Sequence, residues 1–233
     1  MAMYGVRLRV GGSYALFARQ DLKVERETWP VMPPSAARGV LEAIHWKPAI
    51  RWVVDRIHVL APIATQAIRR NEVGRKAPAG TIRAAMNRGD IGDLHLLVEE
   101  ERQQRAATVL VNPAYVIEAH FVRTDRAGPD DTEGKHLDIF NRRASRGQCW
   151  QAPCLGTREF PAEFELIPHG EPLPVAKPED RTPDLGFGSP RDLGLMLWDI
   201  DHAGPGRPSL LFRARLVDGV MAVPPPGSPE ILR

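Results

Sequence analysis

The tetrapeptide Glu133-Gly134-Lys135-His136 combines residue types that suit chemistry on a phosphodiester. Histidine can move a proton near neutral pH, because its unperturbed pKa is about 6.5. A lysine cation beside it can stabilise charge that accumulates on phosphate oxygens. Both residues fall in the first turn of a predicted helix, where backbone N–H groups also favour an anion. On spacing alone, an exposed Lys-His pair without catalytic function is an open alternative.

A second candidate is His45-Trp46-Lys47, at the C-terminal end of another predicted helix. Lys47 is also explained by the helix dipole, which favours positive charge at that end. Trp46 could stack on a nucleic-acid base. Because a tryptophan beside a buried apolar stripe more often packs in a core, we favour a core position for Trp46.

The remaining candidate groups are weaker. Cys149 and Cys154 have no second ligand pair at zinc-site spacing. Asp199 and Asp201 flank a predicted strand end, where solvated carboxylates are the favoured interpretation over a metal site. Neither a phosphate-binding glycine loop nor a dinucleotide fingerprint is present. The sequence therefore predicts neither a metal nor a cofactor.

Apolar periodicity predicts the elements that position these residues. In chain order they are a strand at 4–10, a helix at 35–46, strands at 50–60, 106–111 and 115–122, a helix after Pro129, and a strand near 158–166. Asp130 and Glu133 have capping-box spacing at the start of the second helix. The order suggests a ferredoxin-like (RRM-like) α+β core.

Two stretches carry little apolar pattern. Residues 61–96 are rich in glycine and arginine and are interpreted as a basic, irregular loop over a ligand. Residues 168–190 are rich in proline, glycine and charge and predict an irregular connection. Beyond it, strands at 193–200 and 210–217 and a hairpin turn at Asp218-Gly219 predict a small antiparallel sheet. We therefore divide the chain into domains 1–166 and 167–233.

Charge is distributed unevenly along the chain. Residues 1–90 carry 15 Lys/Arg and 7 Asp/Glu, a net charge of +8, whereas residues 91–233 carry 16 and 22, a net of −6. A basic half favours a polyanionic partner such as nucleic acid. A surface whose charges balance in space is the alternative.

Composition also bears on compartment. The 233 residues suffice for a substantial core, and no apolar run approaches the roughly 20 residues that span a bilayer. The first ten residues lack the apolar region of a signal peptide, and two cysteines are too few for a disulfide framework. We therefore expect a reducing, cytoplasmic setting without membrane contact.

Several segments occur together in a specific order: YALF at 14–17, LKVER at 22–26, PSAARGVLEAIHWKP at 34–48, IRRNEV at 68–73, EGKH at 133–136 and LGTREF at 155–160. This ordered set resembles the CRISPR-associated Cas family five, subtype I-C (the Dvulg type). The resemblance covers roughly residues 4–166 well and the C-terminal part weakly. It implies a ferredoxin-like domain followed by a small β-rich extension.

The resemblance also implies a function. Members of this family cleave precursor CRISPR RNA within the repeat hairpin, remain on the mature crRNA handle, and join the backbone and large subunits of the interference complex. The implied reaction is metal-independent: a 2′-hydroxyl attacks the adjacent phosphate, leaving a 2′,3′-cyclic phosphate and a 5′-hydroxyl. The family's catalytic set is a tyrosine at the end of the first helix and a Lys-His pair at the start of the second.

Lys135 and His136 match the pair, whereas His45 stands where the family has tyrosine. Histidine titrates at lower pH than tyrosine, so His45 could act as a base without strong activation and form an acid–base pair with His136. Alternatively, its shorter ring fails to reach the substrate. We favour retained activity, with His45, Lys135 and His136 as the catalytic residues. The predicted RNA-binding residues are Arg19, Lys23, Arg26, Arg38, Lys47, Arg69 and Arg70.

Two further functions remain open. The first is a subunit that binds the crRNA handle without cutting it, which the substitution at position 45 permits. The second is a general binder of RNA or duplex DNA, which the basic residues of 69–88 permit. Phosphate contacts alone cannot discriminate these, because they carry no sequence information.

Overall fold

A computed structural model describes residues 5–22, 24–92, 94–202 and 204–233. In chain order its strands and helices are β1 (Val6–Gly11), β2 (Tyr14–Ala15), β3 (Arg26–Glu27), α1 (Pro34–Ile44), β4 (Ile50–Val59), β5 (Thr65–Val73), α2 (Ala79–Arg88), α3 (Val98–Glu101), β6 (Arg102–Val111), β7 (Ala114–Arg123), α4 (Glu133–Ala144), β8 (Glu163–Leu166), β9 (Arg191–Ile200), β10 (Ser209–Leu216) and β11 (Val220–Ala222). The fold is therefore α+β, as the sequence predicts.

The main sheet is antiparallel, with the strand order β11-β4-β7-β1-β8. Helix α1 connects β1 to β4, and α4 connects β7 to β8. Alternate residues of the central strands, such as Leu8, Ile57 and Ile117, are fully buried. This alternation is the period-two pattern of strands with one face against the core. The predictions of strands at 50–60 and 115–122 are confirmed.

Helix α1 begins at Pro34, where the fixed φ of proline suits the first helical position. Its apolar residues recur at helical spacing, so Ala37, Val40, Leu41 and Ile44 are all buried on one face. The helix ends before His45, whose extended backbone (φ −150°, ψ 118°) turns the chain towards β4. The predicted helix at 35–46 is thus confirmed, with an end two residues earlier.

Helix α4 begins differently from the prediction. Its N-cap is Thr132, whose hydroxyl accepts a hydrogen bond from the Lys135 backbone N–H at 3.3 Å. The predicted capping box of Asp130 with Glu133 is wrong, because the helix starts at Glu133 and Asp130 lies outside it. Thr132 instead satisfies one of the N–H groups that a helix start leaves without a partner. Lys135 and His136 still fall within the first helical turns.

The prediction of an irregular loop at 61–96 is also wrong. β5 pairs antiparallel with β6 over nine residues. Helices α2 and α3 lie in the connection between the end of β5 and the start of β6. Most side chains of β5 are exposed, so the strand carries no apolar alternation in the sequence. Helix α2 buries only Ala85 among its described side chains, which leaves its periodicity weak as well.

The C-terminal part contains the predicted irregular connection, interrupted by short 3₁₀ turns at Pro178–Asp180 and Pro183–Leu185. β9 and β10 form the expected antiparallel pair. Asp218 and Gly219 both have positive φ (48° and 79°), as a two-residue hairpin turn requires. After this turn, however, β11 joins the main sheet beside β4 rather than extending the small sheet. Met221 of β11 is fully buried there.

Candidate active site

The structure brings together two of the three predicted catalytic residues in a direct contact. His45 Nε2 lies 3.0 Å from His136 Nδ1, although 91 positions separate the residues in the sequence. The ring centroids are 5.3 Å apart. Each histidine is only 1% exposed. Two imidazoles therefore share one hydrogen bond beneath the protein surface.

The ends of two helices determine this contact. His45 follows the last residue of α1, and Trp52 of β4 fixes that point by donating its indole N–H to the His45 carbonyl oxygen at 2.8 Å. His136 lies in the first turns of α4, with its ring 6.1 Å from the ring of Phe121 on β7. Helix and sheet packing thus positions both rings, rather than a flexible loop.

Both histidines are held in the neutral form. Burial lowers the pKa of His45 to about 4, and the neighbouring His136, Arg143 and Lys47 act in the same direction. Burial also lowers the pKa of His136, while the carboxylate of Asp131 opposes that change. At pH 7, a group with a pKa of about 4 is protonated in roughly one molecule in a thousand. His45 is therefore suited to accept a proton rather than to donate one.

Asp131 is a third member of this group that sequence reasoning did not identify. Its Oδ1 lies 3.4 Å from His136 Nε2 and also 3.4 Å from Lys135 Nζ. The Gly128 backbone N–H donates to Oδ2 at 3.0 Å, which fixes the carboxylate and lowers its pKa. Its proximity in sequence, five residues before His136 at a helix start, was the signal that could have found it.

Asp131 Oδ1 and His136 Nε2 are close enough for an ion pair, but they lack the geometry of a hydrogen bond. His136 Nε2 is a buried nitrogen that has no hydrogen-bond partner within the described residues. When the hydrogen between the rings belongs to His45 Nε2, His136 Nδ1 accepts it and Nε2 carries the hydrogen that faces Asp131. In this tautomer His45 donates to His136, and the second N–H of His136 lies on the side of Asp131, 3.4 Å away.

Lys135 provides the exposed cation of the site. Its side chain is 46% exposed, and Nζ contacts the Asp130 carbonyl oxygen at 3.2 Å in addition to Asp131. His136 contacts His45 and shares Asp131 with Lys135, but the three predicted catalytic residues differ in access to solvent. The cation faces water, whereas the imidazoles lie below it.

The predicted RNA-binding residues have different surroundings. Lys47 and Arg69 are exposed and form no ion pair within the part of the chain that the structure describes. Arg19 pairs with Asp21 at 2.8 Å and lies over the Trp29 ring. Lys23 lies outside the described residues. Lys47 follows the site directly in sequence, so it is the predicted RNA-binding cation nearest to the histidines along the chain.

The other two predicted cations of the β5–β6 region form a small network. Arg26 pairs with Glu72 at 2.7 Å, and Arg70 pairs with Glu159 at 2.7 Å. Arg70 Nε and Nη1 are buried and lack hydrogen-bond partners among the described residues. Arg26 remains 43% exposed at its side chain, so it can still meet an anion.

Arg38 connects two elements. Its Nε and Nη2 donate to the Asp199 carboxylate at 3.0 and 2.8 Å, and Nη1 donates to Glu42 at 2.6 Å. The pair joins α1 to β9, and its side chains are about one-fifth exposed (22% and 20%). Arg38 thus has its donors engaged inside the protein, and Asp199 is its partner.

The predicted core position of Trp46 is wrong. Trp46 is 53% exposed, because the chain leaves the helix at His45 and the next side chain points away from the core. Cys149 and Cys154 are free thiols. Within the described ranges, no cluster of three or more His, Cys, Asp or Glu side chains could hold a metal ion. Among the same residues, no helix has the length and apolar composition needed to cross a bilayer.

Comparison with known proteins gives a consistent result. Residues 5–224 match the sequence family described as "CRISPR-associated protein (Cas_Cas5)", of the Cas5d type. A protein of Mannheimia succiniciproducens named "CRISPR pre-crRNA endoribonuclease Cas5d" is 50% identical over 228 residues, which are 98% of this chain and 98% of the relative. A Thermus thermophilus protein of the same name is 41% identical over 91% of this chain and 80% of its own length.

Solved structures show the same fold at lower identity. A crystal structure of a CRISPR-associated protein aligns with a TM-score of 0.67 and 20% identity, over 98% of this chain and 96% of the other. A functionally uncharacterized protein, SMU1763c from Streptococcus mutans, aligns with a TM-score of 0.63 and 19% identity, over 98% and 97%.

Proposed function

Because the chain belongs to the Cas5d family of CRISPR-associated proteins, we propose that it is an endoribonuclease that cleaves precursor CRISPR RNA within the repeat hairpin. The relatives from Mannheimia and Thermus are named for pre-crRNA cleavage. The observation that carries the proposal for this chain is the 3.0 Å contact between His45 and His136, beside the exposed Lys135.

The geometry favours one proton-accepting unit rather than a separate acid and base. In-line attack places the 2′-oxygen and the leaving 5′-oxygen on opposite sides of the phosphorus. Two imidazoles that are hydrogen-bonded to each other cannot serve both sides at once. The neutral pair therefore takes the 2′-hydroxyl proton, and Asp131 stabilises the imidazolium that forms on the pair.

Lys135 acts on the charge of the phosphate. Its ammonium group is the exposed cation of the group, and it lies within 3.4 Å of the same carboxylate as His136. A cation at this position stabilises the negative charge on the phosphate oxygens in the transition state. The departing 5′-oxygen is then protonated from the solvent side, leaving a 2′,3′-cyclic phosphate and a 5′-hydroxyl. The nucleophile belongs to the substrate, so this scheme uses neither metal nor cofactor.

The burial of both rings favours a second candidate function. At 1% exposure each, the imidazoles do not present a reactive edge to a bound hydroxyl in this conformation. A protein that keeps this arrangement when RNA binds would hold the crRNA handle without cutting it. The cleaving protein must instead open at least one ring edge upon binding. An assay of RNA cleavage therefore distinguishes the endoribonuclease from the subunit that only binds the handle.

The fold and partners follow the same proposal. Four strands of the main sheet and the two longest helices follow one another as β1-α1-β4-β7-α4-β8. This order and the sheet order β4-β7-β1-β8 support a ferredoxin-like domain. We assign residues 1–166 to it and residues 167–233 to the extension. Arg19, Lys23, Arg26, Lys47, Arg69 and Arg70 contribute to the RNA surface, whereas the ion pairs of Arg38 support a structural role. The backbone and large subunits of a type I-C complex are the proposed protein partners, in the cytoplasm.

The decisive experiment uses the cognate repeat RNA in EDTA, beside the same RNA with a 2′-deoxy group at the cut site. We expect cleavage of the first only, with a cyclic phosphate end. Cleavage of the deoxy substrate would exclude attack by the 2′-hydroxyl. Tight binding without cleavage of either RNA would support the second candidate. Weak binding, with similar affinities for RNA and for duplex DNA, would support a general nucleic-acid-binding protein.

A further inference from the structure

Two exposed tryptophans line one groove, and one of them, Trp46, directly follows His45 in the sequence. Trp46 is 53% exposed and Trp150 is 84% exposed. The groove has a volume of about 500 Å³ and runs between the outer side of α1 and residues 150–156. Large aromatic surfaces in contact with water are costly, so two of them in one groove indicate a ligand.

The backbone holds both tryptophans while leaving their rings accessible. The N–H groups of Trp150 and Gln151 donate to the Ala43 carbonyl oxygen at 2.8 and 3.2 Å, which attaches the segment after α4 to α1. Trp46 is the residue directly after His45. Ala43 and Trp46, which both line the groove, flank His45 in the sequence, so the groove reaches the end of α1 at which His45 lies.

Charge around the groove suits a nucleic acid. Lys47 directly follows Trp46, and Arg146 precedes Trp150 by four residues; both cations are exposed. The one carboxylate among its lining residues is Glu42, whose charge is only partly offset by Arg38 at 2.6 Å, because Arg38 also pairs with Asp199. Flat aromatic faces beside cations are the features that bind unpaired nucleotides, since every base has a face for stacking.

We propose that Trp46 and Trp150 stack on unpaired bases of the RNA next to the scissile phosphate. This inference rests on the proposed function, and it adds a subsite that holds single-stranded nucleotides beside the hairpin. Stacking tolerates different bases, so the groove fixes the position of the strand rather than its sequence. In this way it brings the attacking 2′-hydroxyl to the edge of His45.

The test measures binding alone, with repeat RNA that carries a 2′-deoxy group at the cut site. Trp150→Ala should raise the Kd about five- to hundredfold, the effect of losing one base–aromatic stack. Trp150→Phe should retain most of the affinity. The salt dependence of the Kd should stay unchanged, because no phosphate contact is removed. Met86→Ala removes another exposed apolar side chain, on α2 (76% exposed); it is the control and should bind like wild type.

Abasic nucleotides identify the stacked position. An abasic substitution at the stacked nucleotide should weaken wild-type binding and add no further loss in Trp150→Ala. Unchanged affinity in both Trp46→Ala and Trp150→Ala would overturn the inference. The inference would also be overturned if Trp150→Ala raised the Kd by the same factor for every abasic RNA as for the intact RNA. Failure of cleavage does not affect these results, because the RNA used cannot be cut. His136→Asn, which should lose cleavage but bind normally, separates the two proposals.

Discussion

At the scale of single residues, the site combines a buried pair of neutral histidines with a carboxylate and a cation nearer the surface. Burial lowers the pKa of both imidazoles, and His45 reaches about 4. Asp131 is the group that opposes this change at His136. The pH dependence of rate and stability therefore reports on these three residues.

Asp131→Asn should shift the acid limb of the cleavage rate to lower pH. The carboxylate raises the pKa of His136, so its removal lowers that pKa and keeps the pair neutral in more acidic solution. The maximal rate should fall at least about tenfold, because the imidazolium loses its counter-charge. Single-turnover kinetics between about pH 4.5 and 8 would measure both effects.

Asp130→Asn is the matched control for this prediction. Asp130 is exposed, and it contacts Lys135 through its backbone carbonyl oxygen, so the substitution retains that contact. An equal shift of the acid limb in both variants would contradict a specific role for Asp131.

His45→Gln should reduce the loss of stability in acid. The folded pKa of about 4 lies below the unfolded value of about 6.5, so the unfolded chain binds the proton first. Stability from this group is complete above pH 6.5 and falls as the pH approaches 4, by about 3 kcal/mol in total. Urea unfolding at pH 7 and pH 4.5 should show a smaller difference in the variant. If the free energy of unfolding fell equally between pH 7 and pH 4.5 in wild type and variant, the lowered pKa of His45 would be contradicted.

At the scale of elements, the positions of the histidines depend on where α1 ends and α4 begins. The apolar spacing of α1 and the alternation of β4 and β7 were predictable because those faces are buried. β5 was not predictable, since its side chains are mostly exposed and its partners in β6 lie 29 to 45 residues away. The resemblance implied that His45 and His136 share one site, but their direct contact could not be predicted, because tertiary packing alone brings together residues 91 positions apart.

The ion pair between Arg38 of α1 and Asp199 of β9 belongs to this scale. Arg38→Ala should lower the free energy of unfolding by about 2 kcal/mol, because it removes charged hydrogen bonds and leaves a largely buried carboxylate without its partner. Asp199→Ala and the double variant complete a cycle whose coupling energy should be about 0.5–3 kcal/mol. The Kd for repeat RNA should change less than about twofold. A large loss of RNA affinity with wild-type stability would instead place Arg38 on the RNA surface.

At the scale of the whole molecule, the last strand connects the two predicted domains. β11 pairs with β4 in the main sheet, and Met196, Phe212, Leu216 and Met221 belong to the same buried cluster as Leu8 and Ile117. The hairpin turn at Asp218-Gly219 was predictable from its residue types. The pairing of β11 with β4 was not predictable, because a strand of three residues carries too little apolar pattern to specify its partner.

Met221→Ala should destabilise the whole protein by about 2–5 kcal/mol, since it removes a fully buried side chain from the common core. Denaturant unfolding followed by far-ultraviolet circular dichroism and by tryptophan fluorescence should show one shifted transition. Two transitions, of which only the smaller one shifts, would indicate instead that residues 167–233 unfold as a separate unit.

The most direct test of the account compares cleavage and binding in His136→Asn. Asparagine retains a polar group near the position of Nδ1 but removes the imidazole that links His45 to Asp131. Under single-turnover conditions in EDTA, the cleavage rate of repeat RNA should fall about 10²–10⁴-fold, while the Kd stays within about twofold of wild type. Cleavage by His136→Asn at the wild-type rate would contradict the assignment of the histidine pair as the catalytic centre.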